Sequence, residues 1–146
     1  MRLRPARLDE TAALEALQLR ASLAWGDHVE ELTNNPDAIE LPAEHVPHAF
    51  VAEDADGRAL GFAVVLPRDD GDAELDGLFV EPAAWRRGIG ARLVDEAVRR
   101  ARETGARALH VIANERALGF YEACGFEATG QVMTRFAPAP TMRKAL

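Results

Sequence analysis

The chain has 146 residues, of which 28% are charged and 48% are hydrophobic, and its formal net charge is -7 at pH 7. A chain of this length can bury about 68–70% of its unfolded surface around one core, so we expect a single domain spanning residues 1–146. The negative charge argues against nucleic acid as a partner. No apolar run reaches the length of a membrane span, and residues 1–7 lead into no signal peptide. The single cysteine, Cys124, cannot form an internal disulfide, which suits a reducing cytoplasm.

Two helices are predicted after a short first strand at residues 1–5. Asp9 is a candidate N-cap of the first helix, because its carboxylate can accept hydrogen bonds from unpaired amides of the first turn. Asp27 and Glu30 have the spacing of a capping box at the start of the second helix, and the Asn-Asn-Pro turn at 34–36 ends it. The apolar residues of the first helix are Leu14, Leu17 and Leu19.

Three strands separated by turns follow in the sequence. Residues 48–53 and 60–66 read as strands, and the segment 54–57 between them ends in an Asp-Gly pair that is typical of a hairpin turn. A second turn, with the sequence Asp-Asp-Gly-Asp at 69–72, leads into a third strand that ends at Val80.

The second half of the chain predicts alternating helices and strands. A helix that ends near Gly105 is followed by a strand over 107–113, a helix over 115–124 and a strand to Val132. The tail at 136–143 is expected to cross back as a final edge strand, because its prolines disfavour a central position. The order of elements predicts a mixed α/β domain.

The segment that joins the third strand to the following helix has the features of an anion-binding site. Pro82 ends the strand, and apolar residues recur at helical spacing from Ile89 to Ala101. Gly88 and Gly90 have no Cβ atom, so a ligand can approach the backbone amides at the start of the helix. Those amides have no partner within the helix, and the helix dipole favours an anion there by about 0.3–1 kcal/mol. This combination predicts a phosphate cradle.

The residues after Gly90 exclude two common phosphate-binding motifs. A P-loop requires Lys and then Ser or Thr after its last glycine, whereas Ala91 and Arg92 follow here. A dinucleotide fingerprint requires a third glycine for close helix packing, and Leu93 occupies that position. Between residues 85 and 102 there are six arginines and two acidic residues. This local positive charge can concentrate an anionic cofactor in an otherwise acidic protein.

Two segments resemble the conserved motifs of the GNAT superfamily of N-acetyltransferases. Residues 85–90, Trp-Arg-Arg-Gly-Ile-Gly, are similar to the pyrophosphate-binding pattern Gln/Arg-x-x-Gly-x-Gly/Ala, with Trp85 in place of the polar first residue. Residues 114–126 match the second pattern, Asn-x-x-Ala-x-x-Phe-Tyr-x-x-x-Gly-Phe, position for position. The resemblance covers roughly half of the chain, from 62 to 132. It implies a mostly antiparallel sheet whose central strands splay apart, flanked by helices.

The resemblance also implies how acetyl-CoA, as co-substrate, would bind. The pyrophosphate would lie on the cradle, where the Trp85 amide could still donate and Arg86 or Arg87 would replace the missing polar side chain. The backbone of Phe79 and Val80 would pair with the pantetheine amide, and the Val80 N–H could polarise the thioester carbonyl. The implied cofactor-binding residues are Phe79, Val80, Arg86, Arg87, Gly88, Ile89, Gly90, Ala91, Asn114 and Tyr121.

Two residues are candidates for proton transfer. A primary amine with a pKa of about 10.4 is mostly protonated at neutral pH, so a carboxylate, acting directly or through water, is the natural base. Glu74 lies on the strand before the cradle, where many family members carry a catalytic glutamate, and Asp76 on the same face is its competitor. Tyr121, the only tyrosine, lies where the family places its general acid. The alternatives are a solvated acid for Glu74 and a core aromatic for Tyr121.

Asn114 and Cys124 have competing structural interpretations. Asn114 could hydrogen-bond the pantetheine arm or cap the helix that starts at Glu115, and both roles are compatible. Cys124 is expected to be a small buried thiol rather than a nucleophile. The four histidines show no metal-ligand spacing with one another, so we expect no metal.

Two function classes stay open. One is an acetyl-CoA-dependent N-acetyltransferase that uses direct transfer in a ternary complex, and the other is a non-catalytic acyl-CoA-binding module. The presence of both Glu74 and Tyr121 favours the enzyme. The amine acceptor stays open, as does a homodimer. Residues that hint at a cationic acceptor are Trp25, Asp27, His28, Glu30, Glu31, Asp69, Asp70 and Asp72.

Overall fold

The structure, a computed structural model, describes residues 1–26 and 29–146, apart from the side chain of Pro36. The strands in this part of the chain are β1 (Arg2–Pro5), β2 (Ala49–Glu53), β3 (Ala59–Pro67), β4 (Ala73–Val80), β5 (Ala108–Ile112), β6 (Glu127–Met133) and β7 (Pro138–Ala145). The α-helices are α1 (Thr11–Ala24), α2 (Val29–Asn34), α3 (Ile89–Glu103) and α4 (Leu118–Ala123). The 3₁₀ turns that matter below are Leu8–Glu10, Pro82–Ala84 and Glu115–Ala117.

The strands form a mixed sheet in the order β1-β2-β3-β4-β5-β7-β6. The pairs β1–β2, β2–β3, β5–β7 and β6–β7 are antiparallel, and β4–β5 is parallel. The β4–β5 register covers Ala73–Leu75 and Leu109–Val111, although β4 continues to Val80. This short ladder agrees with the expected splay, and the mixed α/β class with a mostly antiparallel sheet is confirmed.

The chain is divided into two compact units, and the first comprises residues 1–64 and 77–93. Its core contains Leu14 and Leu17, which lie three residues apart on one side of α1 and are at most 1% exposed. Full burial of such a side chain contributes about 1.5–3 kcal/mol. The other large residues of this unit that are fully buried are Phe50, Val51, Phe62 and Leu93.

The second unit comprises residues 65–76 and 94–146. The part of α3 in this unit buries Val94, Ala97, Val98 and Ala101, whose spacing of three and four residues gives one apolar face. The core of this unit also includes Leu109, Met142, Tyr121 and Phe126. The expectation of one domain over residues 1–146 stays a prediction.

The start of α1 differs from the prediction that Asp9 caps it. The N-cap residue of α1 is Glu10, and Asp9 lies within the preceding 3₁₀ turn. The Glu10 carboxylate accepts hydrogen bonds from the Arg4 guanidinium at 2.8 and 2.9 Å and from the Arg7 amide at 2.7 Å. The predicted cap at Asp9 is therefore wrong, because Asp9 lies inside the turn, and Glu10, whose carboxylate pairs with buried Arg4, is the residue that precedes α1. The predicted capping residue Asp27 of the second helix lies outside the described residues, as does His28.

The last strand, β7, occupies a central place in the sheet and not the edge that we expected. It lies between β5 and β6, so β6 is the edge strand. Both of its prolines, Pro138 and Pro140, lie ahead of Thr141, the first residue that pairs with β5. The Pro140 carbonyl still accepts a hydrogen bond from the Ala113 amide at 2.8 Å. The prediction is wrong because proline interrupts a ladder only where its missing N–H is required.

The turns are as predicted from their local sequences. The Asp54 carboxylate accepts hydrogen bonds from the amides of Asp56 and Arg58, both at 2.9 Å, in the hairpin between β2 and β3. Gly105, with φ of +83°, follows the end of α3 and confirms the predicted C-cap. Among the described helices, none has both the length and the apolar character needed to cross a bilayer.

Candidate functional site

The predicted phosphate cradle, residues 86–91, lies in the first unit and leads from the turn after β4 into the start of α3. The 3₁₀ turn Pro82–Ala84 follows β4, and α3 begins at Ile89. The Arg92 amide donates to the Gly88 carbonyl at 3.1 Å, which is an i to i−4 helical bond. The amides of residues 88–91 precede this bond and therefore have no acceptor within the helix.

The backbone of the cradle turns sharply at two residues. Arg86 has φ of +68° and Gly88 has φ of +77°, and Arg86 is the only non-glycine residue with positive φ among those described. The left-handed region costs a residue with a Cβ atom roughly 1–2 kcal/mol. Reversal of φ between neighbouring residues is typical of backbone nests, whose amides converge on an anion. A Cβ atom built on Gly88 would meet nothing within 4 Å, so the space beside this backbone is open.

The side chains of Arg86 and Arg87 supply positive charge at the cradle. Both residues are exposed. Within residues 1–26 and 29–146, neither guanidinium forms a hydrogen bond or an ion pair. By contrast, Arg99 on the surface of α3 is paired with Glu96 and Glu103. The two arginines of the cradle are therefore available to an anionic ligand.

Trp85 differs from our expectation for the first residue of the motif. Its amide donates to the Pro82 carbonyl at 3.2 Å, so the expected donation of this amide to a phosphate is wrong. Its indole Nε1 donates to the Val80 carbonyl at 2.8 Å. Trp85 thus connects the cradle to the last residue of β4, and the free amides begin after it.

Phe79 and Val80, at the end of β4, are half-buried and lie close to β3. The ring of Phe79 packs against Phe62 with a centroid distance of 5.4 Å. A Cβ atom at Gly61 would lie 2.8 Å from the Phe79 carbonyl oxygen, so only glycine allows this approach of the two strands. The predicted pairing of this segment with pantetheine stays a prediction.

Glu74 lies in the second unit and is half-buried on β4. Its neighbours Ala73 and Leu75 are buried, whereas Asp76 is exposed, as alternation along a strand requires. Among the described residues, the Glu74 carboxylate has no hydrogen bond or ion pair. It is therefore available for proton transfer, and its role as base stays a prediction.

His110, which lies opposite Glu74 in the β4–β5 register, belongs to a polar cluster that sequence reasoning missed. Its Nε2 lies 2.9 Å from Asp72 Oδ2, and the pKa of the Asp72 carboxyl is lowered, mainly by this hydrogen bond. Asp70 pairs with Arg68 at 3.1 Å, which is the main cause of its own lowered pKa. Only the parallel pairing of the two strands brings residues 72 and 110 together.

The carboxylates of this cluster already have hydrogen-bond donors. Ligand atoms of Asp70, Asp72 and His110 lie within 4.8 Å of one another, a spacing that could hold a metal ion. However, Asp72 also accepts from the Arg107 amide at 3.2 Å, and Asp70 accepts from the Asp72 amide at 3.0 Å. These bonds account for the cluster without an ion, and the expectation of no metal stays a prediction.

Tyr121 is a buried aromatic residue whose hydroxyl lacks a hydrogen bond to any of the described residues. The residue is 7% exposed, and its ring lies edge-on to Phe120 and Phe126 at 5.1 and 5.4 Å. Within the described part of the chain, no hydrogen bond reaches its hydroxyl. Burial chiefly raises the pKa of the phenol, so the group carries its proton at neutral pH. The ring thus belongs to the core, while the hydroxyl is a proton donor that has no partner in the described part of the chain.

Asn114 caps a turn, and Cys124 has a thiol that is poorly suited to act as a nucleophile. The Asn114 Oδ1 atom accepts from the Arg116 amide at 2.8 Å and caps the turn Glu115–Ala117, which confirms the capping interpretation. A contact of Asn114 with pantetheine stays a prediction. Cys124 is half-buried rather than buried, and burial is the main cause of the raised pKa of its thiol. A raised pKa reduces the thiolate fraction and disfavours a nucleophilic role.

The predicted residues are therefore distributed over both units. Phe79, Val80 and residues 86–91 belong to the first unit, where the Trp85–Val80 hydrogen bond joins them. Glu74, Asn114 and Tyr121 belong to the second. In the described structure, no hydrogen bond or ion pair links Glu74 to Asn114 or Tyr121.

Comparison with known proteins identifies the family. The model of the acetyltransferase (GNAT) family matches residues 12–126, and the chain belongs to this family. Proteins from Mycobacterium bovis and Mycobacterium tuberculosis, each described as an uncharacterized N-acetyltransferase, are 32% identical over 113 residues. That alignment covers 75% of this chain and 65% of the relatives, so the match spans slightly less than two thirds of their length.

Solved structures support the same fold. A GCN5-related N-acetyltransferase from Rhodopseudomonas palustris is 22% identical, with a TM-score of 0.74 over 99% of this chain and 95% of that protein. An acetyltransferase from Bacillus anthracis, solved with acetyl coenzyme A, is 22% identical, with a TM-score of 0.66 over 73% of this chain and 69% of that protein. At this level of identity both structures show the fold alone.

Proposed function

We propose that this protein is an acetyl-CoA-dependent N-acetyltransferase that acetylates a primary amine by direct transfer in a ternary complex. The observation that supports this most is the cradle. The cradle combines left-handed turns at Arg86 and Gly88, open amides at residues 88–91 and two arginine side chains that have no partner among the described residues, and it coincides with the family's pyrophosphate motif. Membership of the family and the acetyl-CoA complex of a protein with the same fold support acetyl-CoA as the co-substrate.

The positive charge of the cradle and the open space beside its backbone suit the pyrophosphate of acetyl-CoA. The pyrophosphate would be held by the amides of residues 88–91 and by Arg86 and Arg87, since open amides and cations both stabilise an anion at a helix start. The pantetheine arm would run along the backbone of Phe79 and Val80, with Asn114 as a further contact. Acetyl-CoA supplies the activated acyl group.

In this proposal, side chains of the protein transfer protons at the attacking amine and at the departing thiolate. Glu74, directly or through water, takes a proton from the ammonium group and releases the lone pair that attacks the thioester carbon. The Val80 N–H stabilises the oxygen that becomes negative. When the carbon–sulfur bond breaks, the nitrogen, which is positively charged after its attack, loses its second proton to solvent, and Tyr121 donates its phenolic proton to the thiolate. A proton from solvent restores the phenol, and Glu74 releases its proton to solvent.

We also propose a location, an assembly state and a class of acceptor. The protein acts in a reducing cytoplasm, as one domain that is monomeric or forms a homodimer, and its acceptor is a small molecule or a peptide. The residues that were considered for acceptor binding differ in their exposure and in their contacts. Trp25 stacks on Trp85, whereas Glu30 and Glu31 are exposed on α2. The two glutamates therefore support a cationic amine, and Trp25 is occupied.

The test is a panel of amines assayed with acetyl-CoA, with the release of free thiol as the readout. Peptide N-termini, lysine, polyamines, aminoglycosides and small amino acids are compared at one pH. Thiol release that requires both an amine and the protein supports the proposal. Calorimetric binding of acetyl-CoA without turnover on any amine would instead support the acyl-CoA-binding module. Failure to bind acetyl-CoA would exclude both.

A further inference from the structure

Trp85 connects three parts of the first unit at the entrance to the cradle. Its indole Nε1 donates to the Val80 carbonyl at 2.8 Å, across the turn that separates β4 from the cradle. Its ring packs in a tilted arrangement against Trp25, which follows the last residue of α1, with a centroid distance of 5.2 Å and an interplanar angle of 39°. A glutamine or arginine at this position, as in the family pattern, would not offer an aromatic ring to Trp25 together with an indole N–H to Val80.

A second contact joins α1 to the same segment at Glu81, four residues before Trp85. The Arg20 guanidinium binds the Glu81 carboxylate with two nitrogens, at distances from 2.7 to 3.3 Å. This hydrogen bonding is the main cause of the lowered pKa of Glu81. The Glu81 amide also donates to the Leu60 carbonyl at 2.7 Å. The residues on both sides of the turn Pro82–Ala84 are therefore held in place.

The residue directly after Trp85 is the strained one. Arg86 has φ of +68°, a conformation that persists in a residue with a Cβ atom only where the flanking structure enforces it. On its other side the chain enters α3 after one intervening residue and Gly88. Trp85 holds the backbone in place before Arg86, and α3 holds it in place after Gly88. Amides that are fixed before the ligand arrives need no reorganisation on binding.

We propose that Trp85 is a positioning residue for the pyrophosphate cradle: its hydrogen bond to Val80, supported by Trp25 and the Arg20–Glu81 pair, holds Arg86 and the following amides in the binding conformation. This inference rests on the proposed function, because it takes the cradle as the acetyl-CoA site. It assigns to the indole an indirect role that replaces the direct polar contact of the family pattern. The proposed role of Trp85 involves no contact with the acetyl group or the amine.

The principal test is the variant Trp85→Phe, which keeps an aromatic ring for Trp25 and removes the donor to Val80. Calorimetry measures the binding of acetyl-CoA and of adenosine 3′-phosphate 5′-diphosphate, which carries the pyrophosphate and no pantetheine. We expect both affinities to fall by the same factor, roughly 5- to 10-fold, as for the loss of one hydrogen bond. Unchanged affinities would overturn the inference, and so would a loss confined to acetyl-CoA, which would place the effect on β4.

A second pair of variants keeps the test decisive if Trp85→Phe does not fold. Arg20→Gln removes the other link and alters a side chain that is 53% exposed. Arg7→Gln is the matched control, because Arg7 is also an exposed arginine and its guanidinium pairs with Asp9 rather than with Glu81. We expect Arg20→Gln to weaken both ligands by roughly 2- to 5-fold and Arg7→Gln to leave them unchanged. Equal affinities in the two variants would overturn the role of this link.

The two tryptophans also provide a spectroscopic signal, because the chain contains no others. In the wild type, binding of adenosine 3′-phosphate 5′-diphosphate should change tryptophan emission, since Trp85 adjoins the cradle. In Trp85→Phe the response should be lost, because only Trp25 remains. A purely structural role of Trp85 would lower the melting temperature and leave the affinity of the folded fraction unchanged. If the wild type binds neither ligand, the proposed function fails rather than the role of Trp85.

Discussion

The ring of Tyr121 lies edge-on against Phe126 at 5.4 Å, while its hydroxyl has no hydrogen-bond partner among the described residues. The ring and the hydroxyl can therefore be separated by mutation. Ring contacts stabilise the second unit, and deletion of an unpaired hydroxyl has little cost to the fold.

Tyr121→Phe is expected to lower kcat by about 10²- to 10⁴-fold, which is the usual contribution of general acid catalysis. The affinity for acetyl-CoA and the melting temperature should stay close to those of the wild type. Steady-state kinetics, calorimetry and thermal melts measure the three quantities. Tyr121→Leu is the companion variant, and it should melt earlier because the edge contacts are lost. Full activity of Tyr121→Phe would leave Tyr121 as a core residue only.

Glu74→Gln removes a base while it keeps the shape of the side chain. We expect turnover to fall by roughly 10²-fold at neutral pH, and to recover in part as the pH approaches the pKa of the amine, about 10.4. Asp76→Asn, on the same strand but exposed, is the control and should retain its rate. If Asp76→Asn loses activity and Glu74→Gln does not, the base is Asp76. If neither does, solvent accepts the proton.

Gly90→Val places a β-branched side chain among the open amides at the start of α3. We expect the affinity for acetyl-CoA to fall by at least about 10-fold, equivalent to roughly 1.4 kcal/mol, with the fold retained. Arg102→Val, at an exposed position in the last turn of the same helix, controls for the effect of valine on helix stability. Calorimetry that shows equal affinities for Gly90→Val and the wild type would mean that the cradle has been misplaced.

Arg86 combines a strained backbone with a charge, and two substitutions separate these properties. Arg86→Gly relieves the left-handed strain and should raise the free energy of unfolding relative to Arg86→Ala by roughly 1 kcal/mol. Both variants lose the guanidinium, so both should bind acetyl-CoA more weakly and with a smaller dependence on salt. Denaturant unfolding and calorimetry at two salt concentrations measure these effects. Equal stability of the two variants would show that Arg86 is not strained.

Glu10 should make stability depend on pH through its contact with Arg4. The Arg4 guanidinium is the main cause of the lowered pKa of Glu10 in the folded protein. A lowered pKa means that the contribution is present above the unfolded pKa, about 4.3, and is lost as the pH falls through the folded pKa. The difference in melting temperature between the wild type and Glu10→Gln should therefore be large at pH 6 and shrink towards pH 3. A difference that is constant over this range would contradict the prediction.

The sequence alone determined the features that depend on a few neighbouring residues. Pro82 stops β4, the glycines after Trp85 leave amides open, and the apolar spacing from Ile89 onward defines α3, so these residues are sufficient to locate the cradle. The hairpin at Asp54 and the C-cap at Gly105 were predictable for the same reason, because their conformations are set by local side chains.

Tertiary structure alone decided the features that join distant parts of the chain. The place of β7 between β5 and β6, the pairing of His110 with Asp72 and the burial of Tyr121 all require the sheet to be assembled. The packing of Trp85 likewise depends on Trp25, a residue 60 positions away in the sequence. Local patterns carry no information about such contacts, because the free energy of each contact is gained only when the fold brings both partners together.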